Sequence, residues 1–312
     1  MASAGVISTL LAPPLVHSSP VASASPLPAH ALPSLRRRPR SLPTVRAVQT
    51  QGAGVQTQQG GAARKGAIQR WTSAPVAAIG PATDDESIFL ITLDLSGAPA
   101  LVDAYTTPGQ YLLARVPSGE KLSPAYMCIS SAPRSGLQFD LLVKPVPGTT
   151  SEQLSKLRVG EVVELGPVMG RGFAIQHINP PAAAETLLLF AVGVGISPIR
   201  SLIEFGIAAS ERNNVILYYA AKDLQSMPYQ DRFKKWENTG VKVVTRTQQI
   251  LEPFLEQNLG EIAVNPLSMG AVIVAPPSSK ELITGVLLDI GVPHDKILSI
   301  EWSPEDPFAP NV

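Results

Sequence analysis

The chain has 312 residues, 45% of them hydrophobic, and a formal net charge of zero. That length suits two ordinary domains with buried cores, and the balanced charge carries no nucleic-acid footprint. A single cysteine, Cys128, excludes an intrachain disulfide framework and any four-cysteine zinc or iron–sulfur site made by this chain alone; the four histidines are scattered and show no metal-ligand spacing.

No Asp or Glu occurs before Asp84, and the first stretch is rich in Ala, Ser, Pro and Leu and carries Arg36, Arg37, Arg38, Arg40 and Arg46. An acid-poor, Ser- and Arg-rich start without a clear amphipathic helix predicts a plastid (chloroplast) transit peptide over 1–47, with Val45-Arg46-Ala47 as the processing site. A linker over 48–65 follows, in which Val48-Gln49-Thr50-Gln51 recurs as Val55-Gln56-Thr57-Gln58. Such low complexity cannot bury enough apolar surface to offset chain entropy. The longest apolar run, 187–196, is about half of what a bilayer span needs.

From 66 to 180 the pattern is short strands punctuated by Gly and Pro, at 75–79, 88–95, 110–116, 126–130, 137–143 and 161–165. That spacing predicts a small antiparallel β-barrel. One helix interrupts it, with Ser151 as its cap and Glu152 to Leu157 filling its turns. From 181 to 302 the pattern changes. Strands at 186–192, 215–220, 241–245, 271–275 and 297–300 alternate with helices at 197–209, 229–236 and 279–290, the last closed by Gly291. Uninterrupted apolar runs alternating with helices predict an α/β domain with a doubly wound parallel sheet. The Pro-rich tail 303–312 has no legible role.

The turn Ala191-Val192-Gly193-Val194-Gly195-Ile196-Ser197-Pro198 runs from the first parallel strand into a helix. Its glycines let backbone approach a ligand, Pro198 suits the first helical turn, and the helix N-terminus presents N–H groups to an anion. Ligands of open α/β sheets bind outside the carboxyl ends of the strands. There lie Ala275-Pro276-Pro277 after the fourth strand and Ala220 to Asp223 after the second, so Lys222, Ser226 and Tyr229 are expected to meet the ribose phosphate and adenine of a dinucleotide.

Together these features resemble the ferredoxin–NADP reductase superfamily over about 75–302. Pro108-Gly109-Gln110-Tyr111 is similar to its Pro-Gly-Gln strand opening, and Tyr126 to Ser131 lies where the family has its flavin-binding Arg-x-Tyr-Ser segment. Gly148-Thr149-Thr150-Ser151 matches the Gly-x-x-Ser that opens the flavin-pyrophosphate helix, and Gly166-Pro167-Val168-Met169-Gly170 resembles its Gly-Pro-x-Gly turn. Gly193 to Pro198 resembles Gly-x-Gly-x-Thr-Pro, and Val274-Ala275-Pro276-Pro277 stands where the family has Cys-Gly-Pro-Pro. Among subgroups the plastid-targeted, cluster-free reductase-like proteins of plants and algae, named from a kiwi fruit transcript, look nearest. The resemblance implies FAD held by Tyr126, Met127, Cys128, Ile129 and Gly148 to Ser151. It implies NADP or NAD held by Gly193 to Pro198, Lys222, Tyr229 and Ala275 to Pro277, with no side-chain acid or base in the hydride transfer. Electrons would leave to a soluble electron carrier or a small oxidant.

Departures from the pattern accompany these matches. The flavin arginine falls at Pro124, its serine at Met127 and the family cysteine at Ala275. Arg115, Lys121 or Arg134 are the cations that stand nearby in sequence. Two readings follow: an NAD(P)H-linked FAD oxidoreductase, or a non-catalytic nucleotide-binding or regulatory module on the same fold.

Overall fold

The computed structural model describes residues 70–117, 122–247 and 265–300. The predicted transit peptide, linker and tail fall outside the described residues. Six strands form the first sheet: β1 (Thr72–Pro81), β2 (Phe89–Asp94), β3 (Tyr111–Arg115), β4 (Ala125–Cys128), β5 (Gln138–Val143) and β6 (Val162–Leu165). Their order is β4-β3-β6-β1-β2-β5, antiparallel throughout, and a single bridge, Ile129 to Leu141, brings the two ends together into a nearly closed barrel. Alternation sorts the faces, as the strand period of two demands. Val76, Ile91, Leu93, Leu112, Met127, Leu141, Val163 and Leu165 turn inward to one core.

Two short helices belong to the barrel. One, α1 (Pro99–Ala104), is absent from the expectations above. Its N-cap is Ala98, which offers no capping side chain, and six residues are too few for a legible helical period. The other, α2 (Thr150–Ser155), is capped at Thr149 and not at Ser151, whose hydroxyl instead accepts from the Val146 N–H at 3.0 Å.

A five-stranded parallel sheet follows: β7 (Thr186–Val192), β8 (Asn214–Ala221), β9 (Val241–Thr247), β10 (Met269–Val274) and β11 (Ile297–Ser299), in the order β11-β10-β7-β8-β9. The three central strands are buried on both faces, which explains their near-continuous apolar runs. Helices α3 (Ile196–Phe205) and α4 (Gln230–Asn238) cover one face with Ile199, Leu202 and Trp236. Helix α5 (Pro277–Asp289) covers the other with Ile283 and Leu287. The sheet is therefore doubly wound, as predicted. From β7 the chain steps to β8 on one side and returns to β10 on the other, so the topological switch point lies between β7 and β10. Among the described residues no helix is long and apolar enough to cross a membrane.

Barrel and sheet share one core: Ile88, Leu142 and Phe173 pack in the same apolar cluster as Leu189, Ile199 and Val274.

Candidate functional site

The Gly193 turn sits at the switch point. Gly193–Gly195 form one 3-10 turn that runs straight into α3. The two glycines are required for different reasons. Gly193 has φ +57°, a left-handed backbone that side chains avoid, and the space beside it is open. Gly195 has an ordinary helical backbone, but a Cβ there would meet the Val274 carbonyl oxygen at 2.4 Å. It is what lets α3 start against the end of β10.

A cleft of about 390 Å³ opens beside Gly193. One wall is the carboxyl end of the sheet: Val192, Gly193 and Val194 after β7, Ala221, Lys222 and Ser226 after β8, and Pro276 after β10. The other wall is the barrel, with Asp85, Ser87, Ile88 and Lys144. Lys144, which follows β5, escaped the sequence reading; its only signal is a lone cation after a strand, and just the topology places it opposite Gly193. The hydroxyl and N–H of Ser87 hydrogen-bond to Asp85, and this, with a smaller pull from Lys222 across the cleft, holds the Asp85 carboxyl below its usual range. Ser226 closes a local turn with Asp223: its hydroxyl donates to the Asp223 carbonyl at 3.0 Å and its N–H to the Asp223 carboxylate at 2.9 Å.

Several expected cofactor residues are brought together elsewhere. Ile196, Ser197 and Pro198 are buried, and Ser197 Oγ reaches the Cys128 carbonyl at 3.5 Å. Tyr229 is 4% exposed and does not line the cleft. It holds φ +65° and points its hydroxyl at Ser130 Oγ, 2.7 Å away, and at an Arg200 guanidinium nitrogen, 3.3 Å away. Tyr229 is the N-cap of α4, at the start of the predicted helix, with its ring packed inside rather than at the cleft.

Arg200 organises this buried region. Its guanidinium meets Asp140 of β5 at 2.8 Å and Glu204 at 3.2 Å, and lies over the Tyr229 ring. Asp140 accepts a second bond from Thr92 Oγ1 at 2.7 Å, and Glu204 is held by Arg232 at 2.9 Å. Tyr105 adds a further link, since its hydroxyl meets Ser201 Oγ of α3 and donates to the Ser131 carbonyl at 2.9 Å. Desolvation works against the Arg200 charge, but Tyr229, Glu204 and Asp140 together outweigh it and hold its pKa above the ordinary value. These bonds tie barrel to sheet.

On the barrel, Ile129 N–H donates to Gln110 O and Ser130 N–H to Asp140 O. Ladder alternation therefore turns the main-chain groups of Tyr126 and Cys128 away from β3 and toward β5, where the barrel is least closed. The Tyr126 ring is half-buried and meets Tyr111 edge-on at 5.9 Å. Met127 and Ile129 point into the barrel core and offer a ligand only backbone. Cys128 packs against the sheet side, not within the barrel core, and burial pushes its thiol up to about 12. Thr150 is buried, and its hydroxyl donates to the Ser123 carbonyl at 2.8 Å, which sets the start of α2 beside Pro124. Of the nearby cations, Arg115 pairs with Glu164 at 2.6 Å and stacks on Trp71, Arg134 is exposed on a loop, and Lys121 lies outside the described residues. Among the described residues no group of His, Cys, Asp and Glu side chains can hold a metal ion.

No family model matches the chain. It is 38% identical over 245 residues to fruit protein pKIWI502 of Actinidia deliciosa, covering 73% of this chain and 76% of that protein. It is 25% identical over 171 residues to the flavodoxin/ferredoxin–NADP reductase of Escherichia coli, covering 54% of this chain and 60% of that one. The ferredoxin NADP+ reductase of Neisseria gonorrhoeae, crystallised with FAD and NADP, superposes with a TM-score of 0.59 at 17% identity, over 71% of this chain and 92% of that chain. A nearly closed antiparallel barrel joined to a doubly wound parallel sheet, with a cleft at the switch point, is the fold of the ferredoxin–NADP reductase superfamily. Within it the chain belongs to the family of fruit protein pKIWI502.

Proposed function

We propose that this chain is an oxidoreductase that moves reducing equivalents from NAD(P)H through a bound flavin, FAD in the first instance, to a soluble electron carrier or small oxidant. One observation carries the reading: the Gly193 turn opens into a cleft whose far wall is the barrel, so a nucleotide bound there lies between the carboxyl end of the sheet and Asp85, Ser87, Ile88 and Lys144. Lys222 and Lys144 supply the positive charge for its phosphates, and Pro276 floors the cleft at the end of β10. On the barrel the ring end of a flavin is fitted by the half-buried Tyr126 ring and the main-chain groups that alternation turns toward β5. A flavin supplies the step between hydride transfer and single-electron transfer. The chain's own contribution is orientation and the exclusion of water from the space between sheet and barrel.

The test is spectroscopic. The purified protein with added FAD is expected to bleach at 450 nm when NADPH is added without oxygen. Lys222→Ala is expected to raise KM for NADPH about five- to tenfold, the loss of one charge-assisted contact, with a smaller effect on NADH. Absence of both bleaching and nucleotide binding would sink the reading. Pro124, Met127 and Ala275 favour the second reading, a non-catalytic nucleotide-binding or regulatory module. Its signature is NADPH binding with no flavin reduction.

The acid-free, Arg-bearing start supports delivery to a plastid. Import of the full chain into isolated chloroplasts, with cleavage near residue 47, is the matching assay; a chain left outside and uncut would refute it.

A further inference from the structure

Resting on the flavin reading above, we propose that the flavin is recognised by its ring alone and exchanges with solvent, so that FAD, FMN and riboflavin are taken with similar affinity. The diphosphate of FAD would need a cation at the start of α2, and the structure places the Glu152 carboxylate and the uncharged Pro124 there. Gly148 N–H, the foremost donor of that turn, is bound by the Glu152 carboxylate at 2.7 Å. Val146 N–H is bound by Ser151 Oγ, and Thr149 Oγ1 donates to the Val146 carbonyl at 2.8 Å. The turn ahead of α2 thus spends its Gly148 and Val146 N–H groups on Glu152 and Ser151.

Charge argues the same way. Glu152 is an anion, and its hydrogen bonds to Lys156 and Gly148 hold its carboxyl below the usual range. Lys156, the neighbouring cation, lies 2.6 Å from Glu152, so the pair together is neutral. The residue set beside this turn through the Thr150–Ser123 bond is Pro124, which bears no charge. Helix α2 has only six residues, and so short a helix adds little dipole at its start. Glu152 is only partly buried and can rotate away, but a carboxylate one bond rotation from a diphosphate still repels it. The ring end has no such obstacle, because Tyr126 and the β4 main chain lie on the other side of Pro124.

Equilibrium dialysis of the full chain against FAD, FMN and riboflavin reads this directly. The three dissociation constants are expected to agree within about threefold, since phosphate contacts worth a charge-assisted bond would separate them by tenfold or more. Glu152→Gln is expected to tighten FAD about two- to fivefold, the size of one exposed charge at a helix start, and to leave riboflavin unchanged. FAD binding more than tenfold tighter than riboflavin, or surviving prolonged dialysis, would overturn the inference and leave the oxidoreductase reading intact. An equal response of FAD and riboflavin to Glu152→Gln would also overturn it. Binding of none of the three would remove both.

Discussion

Arg200→Ala is expected to lower the free energy of unfolding by about 3 kcal/mol, the lower end of what breaking a buried ion pair costs. Arg200 is 5% exposed and its partner Asp140 only 16%, so neither carboxylate partner regains full hydration when the guanidinium is lost. The lower end applies because neither is wholly abandoned: Asp140 keeps Thr92, and Glu204 keeps Arg232. Tyr229 loses one of its two hydroxyl partners and the cation above its ring, while its backbone still holds φ +65°. Urea unfolding of the purified protein measures the loss. Arg200→Lys is expected to fall between wild type and alanine, because an ammonium keeps the charge but cannot serve three partners in one plane. A loss under 1 kcal/mol for Arg200→Ala would show that the network contributes nothing net.

The second large effect belongs to Gly195. Gly195→Ala is expected to cost about 2–3 kcal/mol, as overpacking does in a closed site, and to weaken NAD(P)H binding by pushing the start of α3 off the cleft. The obstacle is the Val274 carbonyl oxygen at 2.4 Å, which is backbone of a central strand and cannot swing aside. Gly193→Ala provides the contrast. Nothing stands within 4 Å of its Cβ, so only the left-handed backbone is penalised, by about 1 kcal/mol. Thermal unfolding of the two variants side by side decides the matter. If Gly193→Ala is the more damaging, the steric reading of Gly195 is wrong.

Sequence patterns located the eleven strands of the described residues because their signals are local. Gly and Pro punctuate the barrel, and the runs Leu187–Val192 and Met269–Val274 are apolar on both faces. The Gly193 turn was legible for the same reason, but not that its second glycine also lets α3 start against the Val274 carbonyl of β10. The polar network was not legible. Arg200 lies 60 positions from Asp140 and 29 from Tyr229, and nothing in a helix pattern announces partners so far away. Tyr229 reads as the start of a helix near a nucleotide, and only the fold shows its ring buried against Ser130 and Arg200. Lys144 gains meaning only from the fold, which sets the end of β5 across from β7. Glu152 was the missed opportunity. Thr149 followed three residues later by Glu152 is the sequence sign of a capping box, and here the carboxylate reaches one residue further back, to Gly148.

The bonds of Arg200, Tyr229 and Tyr105 across the two halves have a consequence for how a ligand arrives. A hinged protein closes on its nucleotide, and part of the binding energy goes into drawing the halves together. Here the halves are fastened when the chain folds. The spacing between sheet and barrel is fixed before any visitor enters, like the jaws of a gauge and not those of a clamp. On the function proposed above, a nucleotide meets a gap whose width these bonds have already set.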